Sequence, residues 1–193
     1  APSCAAEMAS FLRFAINWKG PVFLRFPKAR VECDEPGCDS PLLPGRGVFL
    51  RKREKATVLV CALGALAHAA ARATDRLDEQ GVPVDLYSLR FASPLDEQEI
   101  AAICTRYKAV AVVEEGIKAG GVGESIASIF ARKAVRAKIS ILGFGPRLPA
   151  QASREELLAD AGLDEEGLST TFGIIAAEAA AERMDEAHSI IAG

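Results

Sequence analysis

The chain has 193 residues, half of them apolar and a quarter charged, with a formal net charge of −3. This length suits one globular domain with extra segments and is too short for two full domains. Charges of both signs are mixed along the chain, so it lacks the basic face that nucleic acid requires. No apolar run reaches the roughly 18 residues that span a bilayer, and no signal peptide is visible. We therefore expect no nucleic-acid or membrane partner and a cytoplasmic location.

The number and spacing of the five cysteines predict neither a disulfide scaffold nor a metal site. An odd count argues against a disulfide scaffold. Cys61 lies in an apolar run and Cys104 in a helical pattern, so both are predicted core thiols. Cys33 and Cys38 lie in one short segment, but a zinc site would need two more ligands and no second pair has metal-like spacing. We predict no metal site and a plain reduced loop, as expected in the cytoplasm.

The first 46 residues do not have the pattern of a self-contained domain. Residues 5–17 carry apolar side chains at helical spacing, and residues 22–26 read as a strand closed by Pro27. One helix and one strand cannot form a core, so residues 1–28 are predicted to be the C-terminal remnant of a preceding domain. Residues 29–46 are rich in proline and glycine and are predicted to be a linker.

From residue 48 onward, strand and helix patterns alternate. The predicted strands are 57–62, 82–89, 109–113 and 138–143. The first predicted helix is 64–78. The second is capped by Ser93, has Pro94 in its first turn and runs to about 107, and the third runs from Gly123 to about 134. Two short helices at 153–161 and 164–167 and a long one at 169–187 follow. Repeated βα units require right-handed crossovers and a mostly parallel sheet between helical layers. Residues 47–187 are thus predicted to form one three-layer α/β/α domain with an open, mostly parallel sheet, followed by a tail at 188–193.

Few side chains suggest chemistry. His68 and His188 have no nucleophile at a suggestive spacing and are expected to be structural or solvated, so no catalytic residue is assigned. Glu114 and Glu115 end the third predicted strand, at the sheet edge where parallel sheets bind ligands, although Glu115 capping or orienting the next loop is the simpler interpretation. The turn Gly120–Gly123 lacks both the Walker and the dinucleotide patterns, which favours tight packing over phosphate binding.

Two cations flank a rigid turn near the N-terminus. Arg25 and Lys28 stand on either side of Phe26-Pro27, a spacing that suits an anionic group or an ordinary solvated edge. The residues alone leave both alternatives open.

Four segments together carry a resemblance. Gly20–Lys28 reads Gly-Pro-Val-Phe-Leu-Arg-Phe-Pro-Lys, and Leu89–Asp96 reads Leu-Arg-Phe-Ala-Ser-Pro-Leu-Asp. Val113–Gly123 contains Val-Glu-Glu-Gly and Gly-Gly-Val-Gly, and Gly162–Leu168 reads Gly-Leu-Asp-Glu-Glu-Gly-Leu. In order and spacing, over roughly residues 1–184, the chain resembles the C-terminal portion of the 1-deoxy-D-xylulose-5-phosphate synthases, enzymes of the transketolase group.

The resemblance implies a larger enzyme of three α/β domains that works as a homodimer. Such an enzyme condenses pyruvate with D-glyceraldehyde 3-phosphate, releases carbon dioxide, and supplies isoprenoid, thiamine and pyridoxal phosphate synthesis. Thiamine diphosphate and Mg²⁺ are held by the first two domains, whose diphosphate-and-metal motif and cofactor-activating glutamate are absent from this sequence. The chain would then need those domains as partners, hold no cofactor or metal of its own, and be inactive in isolation.

One functional position of the family falls within the chain. The second basic residue of the family's Arg-Tyr-Pro-Arg stretch contacts the phosphate of glyceraldehyde 3-phosphate, and it aligns with Lys28. Lysine replaces a bidentate fork by a point charge that still neutralises a phosphate. Phe26 in place of tyrosine and Ala29 in place of glycine leave room for another aldehyde acceptor. For Glu114, Glu115 and the glycine turn, domain architecture or a dimer contact is expected.

Two other interpretations remain open at this point. The same domain occurs at the C-terminus of a split transketolase and of a 2-oxoacid dehydrogenase β subunit, with an expected weaker match to Gly20–Lys28 and Leu89–Asp96. A stand-alone dimerisation or regulatory module would explain the missing catalytic residues, but not the isolated helix and strand before residue 27.

Overall fold

The computed structural model describes residues 1–29, 35–147 and 149–191, with side chains described as far as residue 181. The helices and strands are, in chain order, α1 (Ala5–Asn17), β1 (Val48–Arg51), β2 (Val58–Ala62), α2 (Leu66–Glu79), β3 (Val84–Ser88), α3 (Glu97–Cys104), β4 (Ala109–Ile117), α4 (Val122–Lys133), β5 (Lys138–Phe144), α5 (Arg154–Asp160) and α6 (Glu165–Ile191). Among these described helices, none is both long and apolar enough to cross a bilayer.

The strands form one open sheet in the order β1-β3-β2-β4-β5. β3, β2, β4 and β5 are parallel to one another, as the alternating βα pattern predicted. β1 is antiparallel to β3 at one edge and was not predicted. Only Leu50 of its four residues is buried, so the strand lacks the apolar alternation by which a strand is found in a sequence.

Two apolar layers cover the two faces of the sheet, because successive strand side chains point to opposite faces. Val58, Val60 and Ala62 of β2 pack with α2 and α6, whereas Leu59 and Cys61 pack with α3 and α4. The three-layer α/β/α fold predicted from the sequence is confirmed. Cys61 and Cys104 are both fully buried in the second layer, as predicted. Contact with Cys104, together with burial, raises the pKa of the Cys61 thiol.

Three local predictions were wrong. Residues 22–26 are extended but form no strand, since no described strand lies alongside them, and Phe23 remains 94% exposed. Helix α3 begins at Glu97 and not near Pro94, because the Asp96 carboxylate accepts a hydrogen bond from the Glu99 N–H at 3.0 Å and acts as the N-cap. The two helices predicted after residue 163 are a single helix, α6.

The N-terminal segment packs against the α/β domain through a buried ion pair. Glu7 of α1 and Arg90, which follows β3, are 0% and 1% exposed, and Arg90 Nε lies 2.7 Å from Glu7 Oε1. The Arg90 guanidinium also donates to the carbonyl oxygens of Gly37, Cys38 and Pro41. One arginine therefore joins α1, residues 37–41 and the end of β3.

Candidate functional site

Residues 25–27, just before Lys28, lie beside the residues that follow β2 and end β4, at the edge where parallel sheets place their ligand sites. Two cavities of about 580 and 530 Å³ share Pro27, Lys28 and Arg154 as lining residues. The first also contacts the start of α1 and His68, and the second contacts the ends of β4 and β5. We call the two cavities together the Lys28 cleft.

The cleft is lined by more cations than anions among its described residues. Lys28, Arg147 and Arg154 contribute positive charges, and Glu115 contributes one carboxylate. Apolar side chains such as Ile117, Phe144 and Leu157 line the second cavity. The arrangement suits a small molecule with one anionic group, since cations that line a cavity attract an anion.

The structure thus places Lys28, the site residue predicted from the sequence, in the lining of this cleft, which Arg154 also lines. Its contact with a substrate phosphate stays a prediction. Arg154 escaped prediction because it stands 126 positions further along the chain, at the first position of α5 behind the Ser153 cap. No sequence pattern joins the two residues, and only the fold brings them to the same cleft.

Glu115 ties the N-terminal segment to α5 at the edge of this cleft. Its two carboxylate oxygens accept from Arg154 Nε and Nη2 at 2.8 and 2.6 Å, a bidentate pair. The Arg25 guanidinium donates to the main-chain oxygen of the same residue. Glu115 therefore contacts both the segment that carries Lys28 and the helix that carries Arg154.

Glu114 points the other way and closes the glycine turn. Its carboxylate is 3% exposed and accepts from the N–H groups of Val122 and Gly123 at 3.0 and 2.9 Å. Those amides at the start of α4 are the groups that would otherwise bind an anion. A side chain on Gly121 would lie 2.3 Å from the Glu114 carboxylate, which explains the glycine. The turn consequently does not fit a diphosphate, in line with the packing role that the sequence favoured.

His68 is buried between two acceptor groups. Its Nε2 lies 2.9 Å from the Ser3 carbonyl oxygen, and its Nδ1 lies 3.3 Å from Glu35 Oε1. Glu35 also pairs with Arg51 of β1 at 2.9 Å. These contacts connect the N-terminus, residue 35 and β1, which is a structural role. His188 lies outside the residues whose side chains are described.

One group of side chains in the described part of the chain has ligand atoms close enough for a metal ion, namely Cys4, Glu7 and Cys38. Both Glu7 oxygens are already bonded, Oε1 to Arg90 and Oε2 to the N–H and hydroxyl of Ser3 at 2.8 Å. The buried guanidinium beside that carboxylate repels a cation. The group is a polar network around an ion pair, and it does not offer a metal a free carboxylate. Cys33 lies outside the described residues.

Comparison with known proteins identifies the class to which this α/β fold belongs. Residues 47–168 match the family "Transketolase, C-terminal domain", which is well over half of the chain. The chain is a member of that family. The matched range starts just before β1 and ends in the first turn of α6.

Among curated proteins, the chain is similar to a group of bacterial enzymes with one name, 1-deoxy-D-xylulose-5-phosphate synthase. It is 32% identical over 184 residues to that of Anaeromyxobacter sp. (strain Fw109-5), covering 93% of this chain and 29% of the relative. It is 30% identical over 162 residues to that of Treponema pallidum (strain Nichols), covering 84% and 26%. The chain therefore spans less than a third of the length of these relatives.

Solved structures with the same fold include "Split gene transketolase, inactive beta4 tetramer", with a TM-score of 0.77 at 21% identity over 92% of this chain and 56% of that chain. The transketolase of Campylobacter jejuni subsp. jejuni has a TM-score of 0.51 at 14% identity, covering 67% of this chain and 18% of that one. These likenesses support the fold.

Proposed function

We propose that the chain is the C-terminal part of a 1-deoxy-D-xylulose-5-phosphate synthase. The complete enzyme would condense pyruvate with D-glyceraldehyde 3-phosphate and release carbon dioxide. Residues 1–28 would end the preceding domain, and the Lys28 cleft would hold the phosphate of the acceptor aldehyde. The remaining domains of the same polypeptide, in a homodimer, would be the partners.

The observation that carries this proposal is the extent of the similarity. The family match begins at residue 47, which leaves 147 residues from there to the end, yet the Anaeromyxobacter synthase aligns over 184 residues. The similarity must therefore reach into the first 46 residues, which include Arg25 and Lys28. A shared transketolase C-terminal domain alone would not explain similarity in that region.

Thiamine diphosphate with Mg²⁺ is proposed for the complete enzyme and not for this chain. Bound thiamine diphosphate supplies a carbanion-stabilising ylid. The residues described here do not fit its diphosphate, because Glu114 already occupies the amides of the glycine turn. The part of this chain is to bind and orient the acceptor phosphate through Lys28.

The test is an assay of the full-length enzyme with thiamine diphosphate, Mg²⁺, 1-¹⁴C-pyruvate and glyceraldehyde 3-phosphate. We expect labelled carbon dioxide and 1-deoxy-D-xylulose 5-phosphate in equal amounts. An enzyme that releases no carbon dioxide from pyruvate contradicts the proposal.

A split transketolase is the second candidate, favoured by the likeness to the split-gene structure over 92% of this chain. The two candidates differ in the length of the natural polypeptide. An antibody against this chain should detect a polypeptide about three domains long for a synthase. A shorter polypeptide, of which this chain would be a little over half as in the split-gene structure, would support the split arrangement.

A further inference from the structure

Adjacent acidic residues at the end of β4 have different environments. Glu114 is buried against the start of α4, whereas the Glu115 side chain is 25% exposed at the edge of the Lys28 cleft. Alternation along a strand sends the two side chains to opposite faces. Both carboxylate oxygens of Glu114 accept hydrogen bonds from the turn between β4 and α4. Glu115 is the acid that lines the cleft.

The carboxylate of Glu115 is held by Arg154, the first residue of α5. The bidentate geometry, at 2.8 and 2.6 Å, sets both the distance and the plane of the two groups. Arg154 is 28% exposed, so the pair is partly shielded from solvent. Charge-assisted bidentate pairs are directional as well as strong.

Glu115 is fixed on the other side by Arg25, whose guanidinium bonds to the main-chain oxygen. The Arg25 guanidinium also lies against Gly116, where a Cβ atom would meet Nη2 in ordinary van der Waals contact at 3.8 Å. Arg25 is three residues before Lys28, and Pro27 between them restricts the backbone. Anchoring Arg25 at the end of β4 therefore restricts where Lys28 can lie.

We propose that Glu115 is a positioning residue for the acceptor phosphate. By holding Arg154 through its carboxylate and Arg25 through its backbone, it sets the separation of the two cations, Lys28 and Arg154, that line both cavities of the cleft. The C-terminal domain thereby determines the geometry of a site whose lysine lies outside the family match. This inference rests on the proposed function, and it assigns to Glu115 a role beyond the loop contact expected from the sequence.

The test compares acceptors with and without a phosphate in the full-length enzyme. For Glu115→Gln we expect KM for glyceraldehyde 3-phosphate to rise about tenfold, because small displacements of positioning groups have large kinetic effects. KM for pyruvate, kcat, and kcat/KM with unphosphorylated D-glyceraldehyde should stay unchanged. Arg154→Lys keeps the charge but loses the fork, and it should reproduce part of the rise.

Glu97→Gln is the matched control, because Glu97 pairs with Arg132 at 2.7 Å on the surface outside the Lys28 cleft. It should leave every constant unchanged. Equal losses with both acceptors, or no change in Glu115→Gln and Arg154→Lys, would overturn the positioning role while leaving the proposed function intact. Should Glu115→Gln fail to fold, Glu115→Asp, which keeps the charge but shortens the reach to Arg154, provides the same comparison of acceptors. Absence of carbon dioxide release by the unsubstituted enzyme is a different outcome, which removes the proposed function itself.

Discussion

The sequence predicts that Lys28 contacts a substrate phosphate, and the structure places Lys28 in the lining of the cleft. We expect Lys28→Ala in the full-length enzyme to raise KM for glyceraldehyde 3-phosphate roughly 10- to 100-fold, the equivalent of losing one charge-assisted contact. KM for pyruvate should change little. Steady-state kinetics with each substrate varied in turn measure both constants.

Two further variants sharpen that measurement. Lys28→Arg restores the residue type of the family motif and should keep KM near its original value. Lys19→Ala removes an exposed lysine that does not line the cleft and should change neither constant. Equal increases for both substrates in Lys28→Ala would remove Lys28 from the phosphate site.

Glu114 is expected to contribute to the stability of the fold. Glu114→Ala should lower the free energy of unfolding by about 2–3 kcal/mol, because two N–H groups at the start of α4 lose a buried charged acceptor. Urea denaturation followed by circular dichroism measures the loss. Glu124→Ala removes an exposed bond to the Gly120 N–H and should cost less than half as much. Equal costs would show that burial of Glu114 adds nothing.

At the scale of elements, strands with strong apolar patterns were predictable and edge elements were not. β2 and residues 109–113 of β4 are continuous apolar runs and are buried, so the sequence pattern located both strands. β1 is joined to α2 by polar contacts between residues that lie far apart in the sequence. Arg51 donates to both Asp75 oxygens of α2 at 2.8 and 2.9 Å, and no local pattern predicts a partner 24 residues away.

This link between β1 and α2 makes stability depend on pH. Burial raises the pKa of Asp75, but hydrogen bonds and charges from Arg51 and Arg53 outweigh it and leave the pKa below its ordinary value. A carboxyl with a lower pKa in the folded state stabilises the fold above its ordinary pKa of about 4. That stability is lost as the pH falls through the folded-state pKa.

Asp75→Asn should therefore destabilise the protein at pH 7, and by less and less as the pH falls below about 4 through the lowered folded-state pKa. The difference at pH 7 should be about 1 kcal/mol, a small value because the Asp75 side chain is 42% exposed and screened by solvent. Thermal unfolding across this pH range measures it. Glu79→Gln, at the end of the same helix, is the control. A constant difference at all pH values would contradict an ionic origin.

At the scale of the whole molecule, the fold could be predicted but much of the cleft could not. The βα alternation defined the layers and the parallel sheet, and a short motif suggested Lys28. Arg154 and Glu115 reach the same cleft from distant parts of the chain, so their partnership exists only in three dimensions. The buried pair of Glu7 and Arg90 likewise joins residues 83 positions apart.

The isolated chain should not bind thiamine diphosphate. Its glycine turn is occupied by Glu114, and the proposed cofactor site belongs to other domains. Calorimetric titration with thiamine diphosphate and Mg²⁺ should give no heat of binding, whereas the full-length enzyme should give a saturable signal. Micromolar binding to the isolated chain would mean that it contains a cofactor site of its own.

The hydrogen bonds from the turn to Glu114 limit which ligands this glycine-rich loop can bind. A glycine-rich turn ahead of a helix invites the assignment of nucleotide binding, yet here a carboxylate six residues before Gly120 acts as a tethered internal ligand that saturates the amides. Grafting a phosphate-binding activity onto this loop would first require removing that acid, which both competes for the amides and repels the incoming charge. An acidic residue at the end of the preceding strand therefore distinguishes a glycine-rich turn whose amides bind a side chain of the same protein from one whose amides can bind a phosphate.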